Sequence, residues 1–243
     1  MTVKLMLTCL CDAFYGEVGI ATVRVLEHAG CTVQFPKSQT CCGQPPYNAG
    51  DWEASRKVAE HWREVFGDGE TPIVTPSSSC AAMVREGYAL LFGEHRNDPV
   101  YELSEFLVKH LGIDKWPLAR SAGTLLQQKI AYHRSCHGRG IGLTNEQEVL
   151  LRAVPGVEFH AIEQSEQCCG FGGAFCVGHP AVSAGIGTEK LQHVAETGAS
   201  ILVGGDMGCL MHLRGLIEKQ RLGIETRHFA EILADAIPAP VPA

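Results

Sequence analysis

The sequence predicts an α/β fold made of two similar halves, each a parallel sheet flanked by helices. Two observations carry this. The tripeptide CCG occurs twice, at residues 41–43 and 168–170, with other cysteines in matching positions around it. Strand-like apolar runs also alternate with segments of helical periodicity along the whole chain.

The repeat can be aligned residue by residue. Cys9 matches Cys136, Cys41 matches Cys168, Cys42 matches Cys169 and Gly43 matches Gly170, all at an offset of 127. With two residues inserted, Cys80 matches Cys209. Each half reads C-x31-C-C-G, with a fourth cysteine 37 residues after the glycine in the first half and 39 in the second. Internal duplication explains four such matches where chance does not.

The elements follow in order. Apolar runs at 4–7 and 129–132 precede the first cysteine of each half and read as strands. Segments 17–29 and 145–153 read as helices, with Val18, Ala21, Val25 and Ala29 spaced along one face. Short β-rich segments (32–35 and 157–162) lead to the CCG loops. Helical patterns at 51–66 and 180–197 precede buried-type strands at 72–75 and 200–204. Cys80 and Cys209 then open helices at 80–92 and 209–220. A strand and helix from 100 and from 226 close the halves. Ligands of such sheets sit outside the carboxyl ends of the strands. Each half is therefore expected to gather its four cysteines at one edge. The stretch DKWPLARSAGT (114–124) reads as the linker, dividing the chain into repeats 1–115 and 125–243.

Composition and charge narrow the class. At 243 residues the chain is long enough to bury a core without disulfide staples. Its 45% hydrophobic and 19% charged content is that of a globular protein. The net charge of −7 argues against nucleic acid or an anionic membrane surface as the main partner. No apolar run approaches the ~18 residues of a membrane-spanning helix. The opening MTVKLMLTCLCDAFYG has one lysine, a short apolar run and no small-residue cleavage site, so it reads as a strand rather than a signal peptide. The expected compartment is the cytoplasm, where stable disulfides are rare. Eleven cysteines there point to metal binding or redox chemistry.

Thiolates bind zinc or iron–sulfur clusters. Structural zinc sites space paired ligands two to four residues apart. Adjacent cysteines diverge, which suits two metal atoms of a cluster better than one ion. Gly43 and Gly170, without a Cβ, let the backbone approach closely. Cys80 and Cys209 sit at helix N-termini, where free N–H groups favour thiolate or cluster charge. The spacing favours clusters in both halves; zinc in one or both remains the alternative.

The motifs LTCLCD, FPKSQTCCGQP and TPSSSC, resuming as YHRSCH, QCCGFGG and DMGCL, resemble the cysteine-rich CCG-domain family over nearly the whole chain, in its lactate-utilisation branch. Related CCG proteins occur in heterodisulfide reductases and in glycolate oxidase. The resemblance implies two pseudo-symmetric Rossmann-like repeats and a cluster-binding subunit that passes electrons within a complex oxidising L-lactate to pyruvate. Its implied partners are the other subunits, including a further iron–sulfur protein. The ligands carried over are Cys9, Cys41, Cys42 and Cys80, then Cys136, Cys168, Cys169 and Cys209. The fullest family motif ends in CxxC, but here Ser77 and Asp206 occupy the first position of that pair. An ordinary [4Fe–4S] cluster in each half is therefore expected. Asp206 is read chiefly as a helix cap, with an oxygen ligand as the second reading.

Cys31 reads as a core thiol; Cys11 and Cys176 have no counterpart and read as buried or spare thiols. His133 and His137 flank Cys136. They are read either as donors to cluster sulfur that raise its potential, or as ordinary residues with backbone partners. Arg134 and Arg139 suggest a carboxylate or an acidic partner only weakly. The glycines of VGGDMGC lack the spacing of a dinucleotide loop. The runner-up function is a zinc-stabilised scaffold or assembly protein without a redox role.

Overall fold

Short β-branched and aliphatic runs form the sheets, and the first strand of each half becomes an interior one. The computed structural model describes residues 1–67, 69–117 and 127–238. In the N-terminal half, β1 (Thr2–Leu5), α1 (Cys9–Phe14), α2 (Gly16–His28), β2 (Thr32–Gln34), α3 (Gln44–Asn48), α4 (Trp52–Phe66) and β3 (Ile73–Thr75) come first. There follow α5 (Ser78–Ala82), a π-helical stretch (Met83–Gly87), α6 (Tyr88–Phe92), β4 (Val100–Glu102), α7 (Leu103–Glu105) and a second π-helical stretch (Phe106–His110). The C-terminal half opens with β5 (Gln128–His133), α8 (Cys136–Gly140), α9 (Glu146–Ala153), β6 (Val157–His160) and α10 (Ala174–Gly178). It closes with α11 (Pro180–Glu196), β7 (Ile201–Gly204), α12 (Met207–Gln220), β8 (Glu225–His228) and α13 (Phe229–Asp235).

The strands form two four-stranded parallel sheets, in the orders β2-β1-β3-β4 and β6-β5-β7-β8. Leu5 pairs with Val74 in one and Ala131 with Leu202 in the other. Parallel neighbours require crossover helices, which the intervening segments supply. The amphipathic α4 shows how: Ser55, Ala59, Trp62 and Phe66, spaced by three and four residues, are its buried positions.

One of the apolar core clusters runs through both halves. Val25, Val74 and Phe106 share it with Tyr132, Leu150 and Phe229. Trp116, within the stretch read as a linker, is buried and donates its indole N–H to the Leu233 carbonyl at 2.8 Å. Residues 118–124 of that stretch lie outside the described residues. Buried polar contacts also cross between halves. Gln147 Nε2 donates to Glu102 Oε1 at 2.9 Å, and His228 Nε2 donates to the Pro76 carbonyl at 3.0 Å. Among the described residues no helix is long and apolar enough to cross a membrane.

Candidate metal centres

All four cysteines of each half lie beyond the carboxyl ends of strands, where the parallel sheet leaves room. Thr8 caps α1 so that Cys9 opens it, and Ser135 caps α8 so that Cys136 opens it. Cys80 and Cys209 lie in the first turns of α5 and α12, capped by Ser77 and Asp206. Four of the eight sulfurs thus stand where helix N–H groups favour negative charge.

The CCG loops bring in the rest. Gly43 and Gly170 have φ of +86° and +89°, a region that L side chains avoid. A Cβ on Gly170 would lie 2.4 Å from the Ser183 carbonyl oxygen. The same turn aims backbone N–H groups at sulfur: Gly43 N–H at Cys41 Sγ (3.4 Å) and Gly170 N–H at Cys168 Sγ (3.3 Å). Phe171 N–H adds a bond to Cys169 Sγ at 3.4 Å.

The adjacent cysteines do not part company as their spacing suggested: the Cys41 and Cys42 thiols interact with each other as well as with outer neighbours. Cys41 Sγ lies 3.6 Å from Cys9, whereas Cys42 Sγ lies 3.4 Å from Cys80. Among the described residues, the groups whose donor atoms all lie within 4.8 Å are His133–Cys169–Cys209 and Glu163–His193–Glu196. The N-terminal sulfurs therefore form an open row, Cys9–Cys41–Cys42–Cys80, in which no three lie mutually within 4.8 Å. A tetrahedral zinc with ~2.3 Å bonds needs all its sulfurs about 3.8 Å apart. Neighbouring sulfurs approach that spacing, but the row does not close into the tetrahedron that one ion needs.

The sulfurs also differ in charge. Cys41 is held down at about 3, first by the neighbouring thiol of Cys42 and then by that of Cys9. Cys168 is held down at about 2 by Cys136 and then Cys169. The partner thiols Cys9, Cys42, Cys136 and Cys169 are pushed up, foremost by their bonds to those same thiolates.

Asp206 sits between the centres. Its Oδ2 accepts from Ser79 N–H (2.9 Å) and the Ser77 hydroxyl (3.1 Å), and its Oδ1 accepts from Gly208 N–H (3.1 Å). It caps its own helix and α5 of the other half, and its partner Ser77 is its own counterpart in the repeat. Both carboxylate oxygens are engaged as helix caps, the first of the two readings made from the sequence.

The remaining candidates separate clearly. Cys31 packs in the shared core. Cys11 is fully buried, and burial pushes its thiol up to about 12. Cys176 donates to the Gly173 carbonyl at 3.0 Å. Arg139 and Arg134 both pair with Glu166, at 3.2 and 3.6 Å. His137 is exposed, with Nδ1 3.8 Å from Cys136 Sγ and Nε2 3.3 Å from the Gln44 side chain. It borders a cleft of about 400 Å³ lined also by Tyr47, Met83 and Leu90. His133 is buried and neither ring nitrogen has a hydrogen-bond partner. Sequence reasoning missed Lys190, which is fully buried beneath the C-terminal centre. Its position on the inward face of α11, with Ser183, Gly187 and Val194, was the signal that pattern offered.

A family model described as the CCG cysteine-rich domain matches residues 3–85 and again residues 130–214. The chain belongs to the CCG family. It is 42% identical to lactate utilization protein A of Shouchella clausii, over 96% of this chain and 98% of that protein. It is equally similar to the protein of that name in Halalkalibacterium halodurans, at 42% over 96% of each. Lactate utilization protein A 1 of Bacillus mycoides is 39% identical over 96% of each. In fold, this CCG protein matches a hypothetical protein from Helicobacter pylori with a TM-score of 0.56 and 11% identity, over 97% of this chain and 48% of that one. The chain spans about half of that protein, and the likeness speaks for the fold alone.

Proposed function

We propose that the chain is the electron-transfer subunit of a complex that oxidises L-lactate to pyruvate, with one iron–sulfur cluster, of the [4Fe–4S] type, in each half. Cys9, Cys41, Cys42 and Cys80 would hold one, and Cys136, Cys168, Cys169 and Cys209 the other. The observation that carries the reading is the gathering of Cys9, Cys41, Cys42 and Cys80 at one sheet edge in an open row, with no three sulfurs closing within 4.8 Å as one ion would require. Lactate enters through the relatives' name. When bound, such clusters accept and pass single electrons. The chain's own residues supply the thiolates, donate N–H groups to them and bury Cys42, Cys80, Cys169 and Cys209.

Lactate oxidation releases two electrons and two protons, and nothing in the sequence provides a dinucleotide loop to take a hydride. The hydride or proton acceptor is therefore assigned to partner proteins of the complex. Cys9, Cys136 and Cys168 are exposed, and the nearby short helices expose Phe14 and Val177 by 71% and 81%. Partners docking on this edge would cover both.

The deciding test is metal analysis of protein made anaerobically with iron supplied. About eight irons with matching acid-labile sulfide are expected. The His133–Cys169–Cys209 triangle favours a second reading, a cluster in one half and zinc in the other, which would show as half that iron plus one zinc. Zinc in both halves without sulfide would leave the scaffold reading. Lactate-dependent dye reduction should be absent from the chain alone and appear with its co-expressed neighbours.

A further inference from the structure

Besides Ser77 and Asp206, which touch each other between the halves, the repeat differs beneath the sulfurs at two further buried positions. Ser55 and Ser183 set the register of the helices beneath the CCG loops, since each donates to the carbonyl of the CCG glycine, at 2.9 and 2.8 Å. Seven residues further along those helices stand Trp62 and Lys190. Three residues before Cys9 and Cys136 stand Met6 and His133. All four are buried, none more than 2% exposed.

In the N-terminal half the pair closes on itself: the Trp62 indole N–H donates to Met6 Sδ at 2.9 Å. No donor is left over for the centre. In the C-terminal half the same volume holds an imidazole and an ammonium. The His133 ring nitrogens have no hydrogen-bond partner, and one lies within 4.8 Å of both Cys169 Sγ and Cys209 Sγ. Lys190 Nζ donates to the Ser165 and Gln164 carbonyls at 3.0 and 3.3 Å. Among the described residues no carboxylate pairs with it. A buried ammonium needs compensating negative charge, and the sulfurs provide it.

We propose that His133 and Lys190 make the two centres unequal: the C-terminal cluster has the higher reduction potential and takes the first electron. This rests on the cluster reading above. Reduction adds negative charge to the cluster, and a fixed cation and an N–H donor in a low-dielectric site stabilise that charge. Trp62 and Met6 offer neither to the N-terminal cluster. An electron arriving from a partner would therefore settle beside Cys169 and Cys209.

The test is a reductive titration of anaerobic protein with dithionite, one electron entering each centre, followed by electron paramagnetic resonance and by iron and sulfide analysis. Cys42→Ser, which removes the N-terminal centre, assigns the waves. Two separate waves are expected, the higher belonging to the C-terminal centre. Lys190→Met should shift that wave down at least tenfold in equilibrium constant, 59 mV for one electron, and leave the other in place. Lys190→Arg should keep it, and His133→Phe should lower it. Should Lys190→Met fail to fold, the order of the waves in the unmodified protein and the His133→Phe shift decide. Iron-free protein, or zinc in the C-terminal half, would remove the cluster reading itself. Full clusters with coincident or inverted waves, or with potentials that ignore Lys190→Met, would overturn this inference alone.

Discussion

Replacing Asp206 by alanine separates a cap from a ligand. The carboxylate accepts from Ser79 N–H, Gly208 N–H and the Ser77 hydroxyl, at 2.9–3.1 Å. In Asp206→Ala the Ser77 hydroxyl can turn to Ser79 Oγ, 3.1 Å away. The two backbone N–H groups have no such recourse. Losing an N-cap costs about 1 kcal/mol, and orphaning a second, partly buried N–H costs about 1–3 kcal/mol more. A total of roughly 3 kcal/mol should lower Tm by roughly 6–12 °C in a chain of this size. Thermal unfolding followed by circular dichroism on anaerobic protein measures it, with iron content determined on the same samples. Asp206→Ser, which keeps a cap for α12, should recover part of the loss. If Asp206→Ala unfolds at the original temperature but loses half its iron, the carboxylate is a ligand and the capping argument fails.

Cys169→Ser should cost the C-terminal centre and leave the N-terminal one, whereas Cys31→Ser should change neither, as read by iron and sulfide per chain; equal losses would break the division between ligands and core thiols. Gly170→Ala places a Cβ at φ +89° and 2.4 Å from the Ser183 carbonyl. It should destabilise by at least the ~1–2 kcal/mol of the left-handed backbone, seen as a lower urea midpoint, while Gly140→Ala, which meets open space, should be mild. Glu102, raised to about 7 chiefly by burial, holds its proton longer folded than unfolded. Its contribution is present below the ordinary carboxyl pKa and lost as pH rises through about 7. Glu102→Gln should therefore gain on the unmodified protein in urea denaturation between about pH 5 and about pH 8; a gap that does not change with pH would contradict this.

The long elements and the eight repeated cysteines were legible because they depend on residues near one another in the chain. Alternating strand and helix signals placed Trp52–Phe66, Pro180–Glu196 and Met207–Gln220 within two residues of their expected ends. The helices α1, α3, α8 and α10 were missed, because five or six residues hold too few turns to show a period. The two π-helical stretches have no pattern of their own in the sequence.

The sequence by itself determined that the chain is duplicated, that each half is α/β, and that four cysteines of each half lie near strand ends. Local periodicity and turn chemistry suffice for that, and both copies tell the same story. Only the tertiary structure decided how the halves meet. Ser77 and Asp206 are 129 residues apart, yet they touch between the centres, and one apolar core cluster joins both sheets. It alone also showed that Trp62 with Met6, and Lys190 with His133, occupy equivalent buried places. The physical reason is that burial and partner choice depend on what packs opposite a residue. A lysine or histidine spelled in sequence looks the same whether it faces water or sulfur.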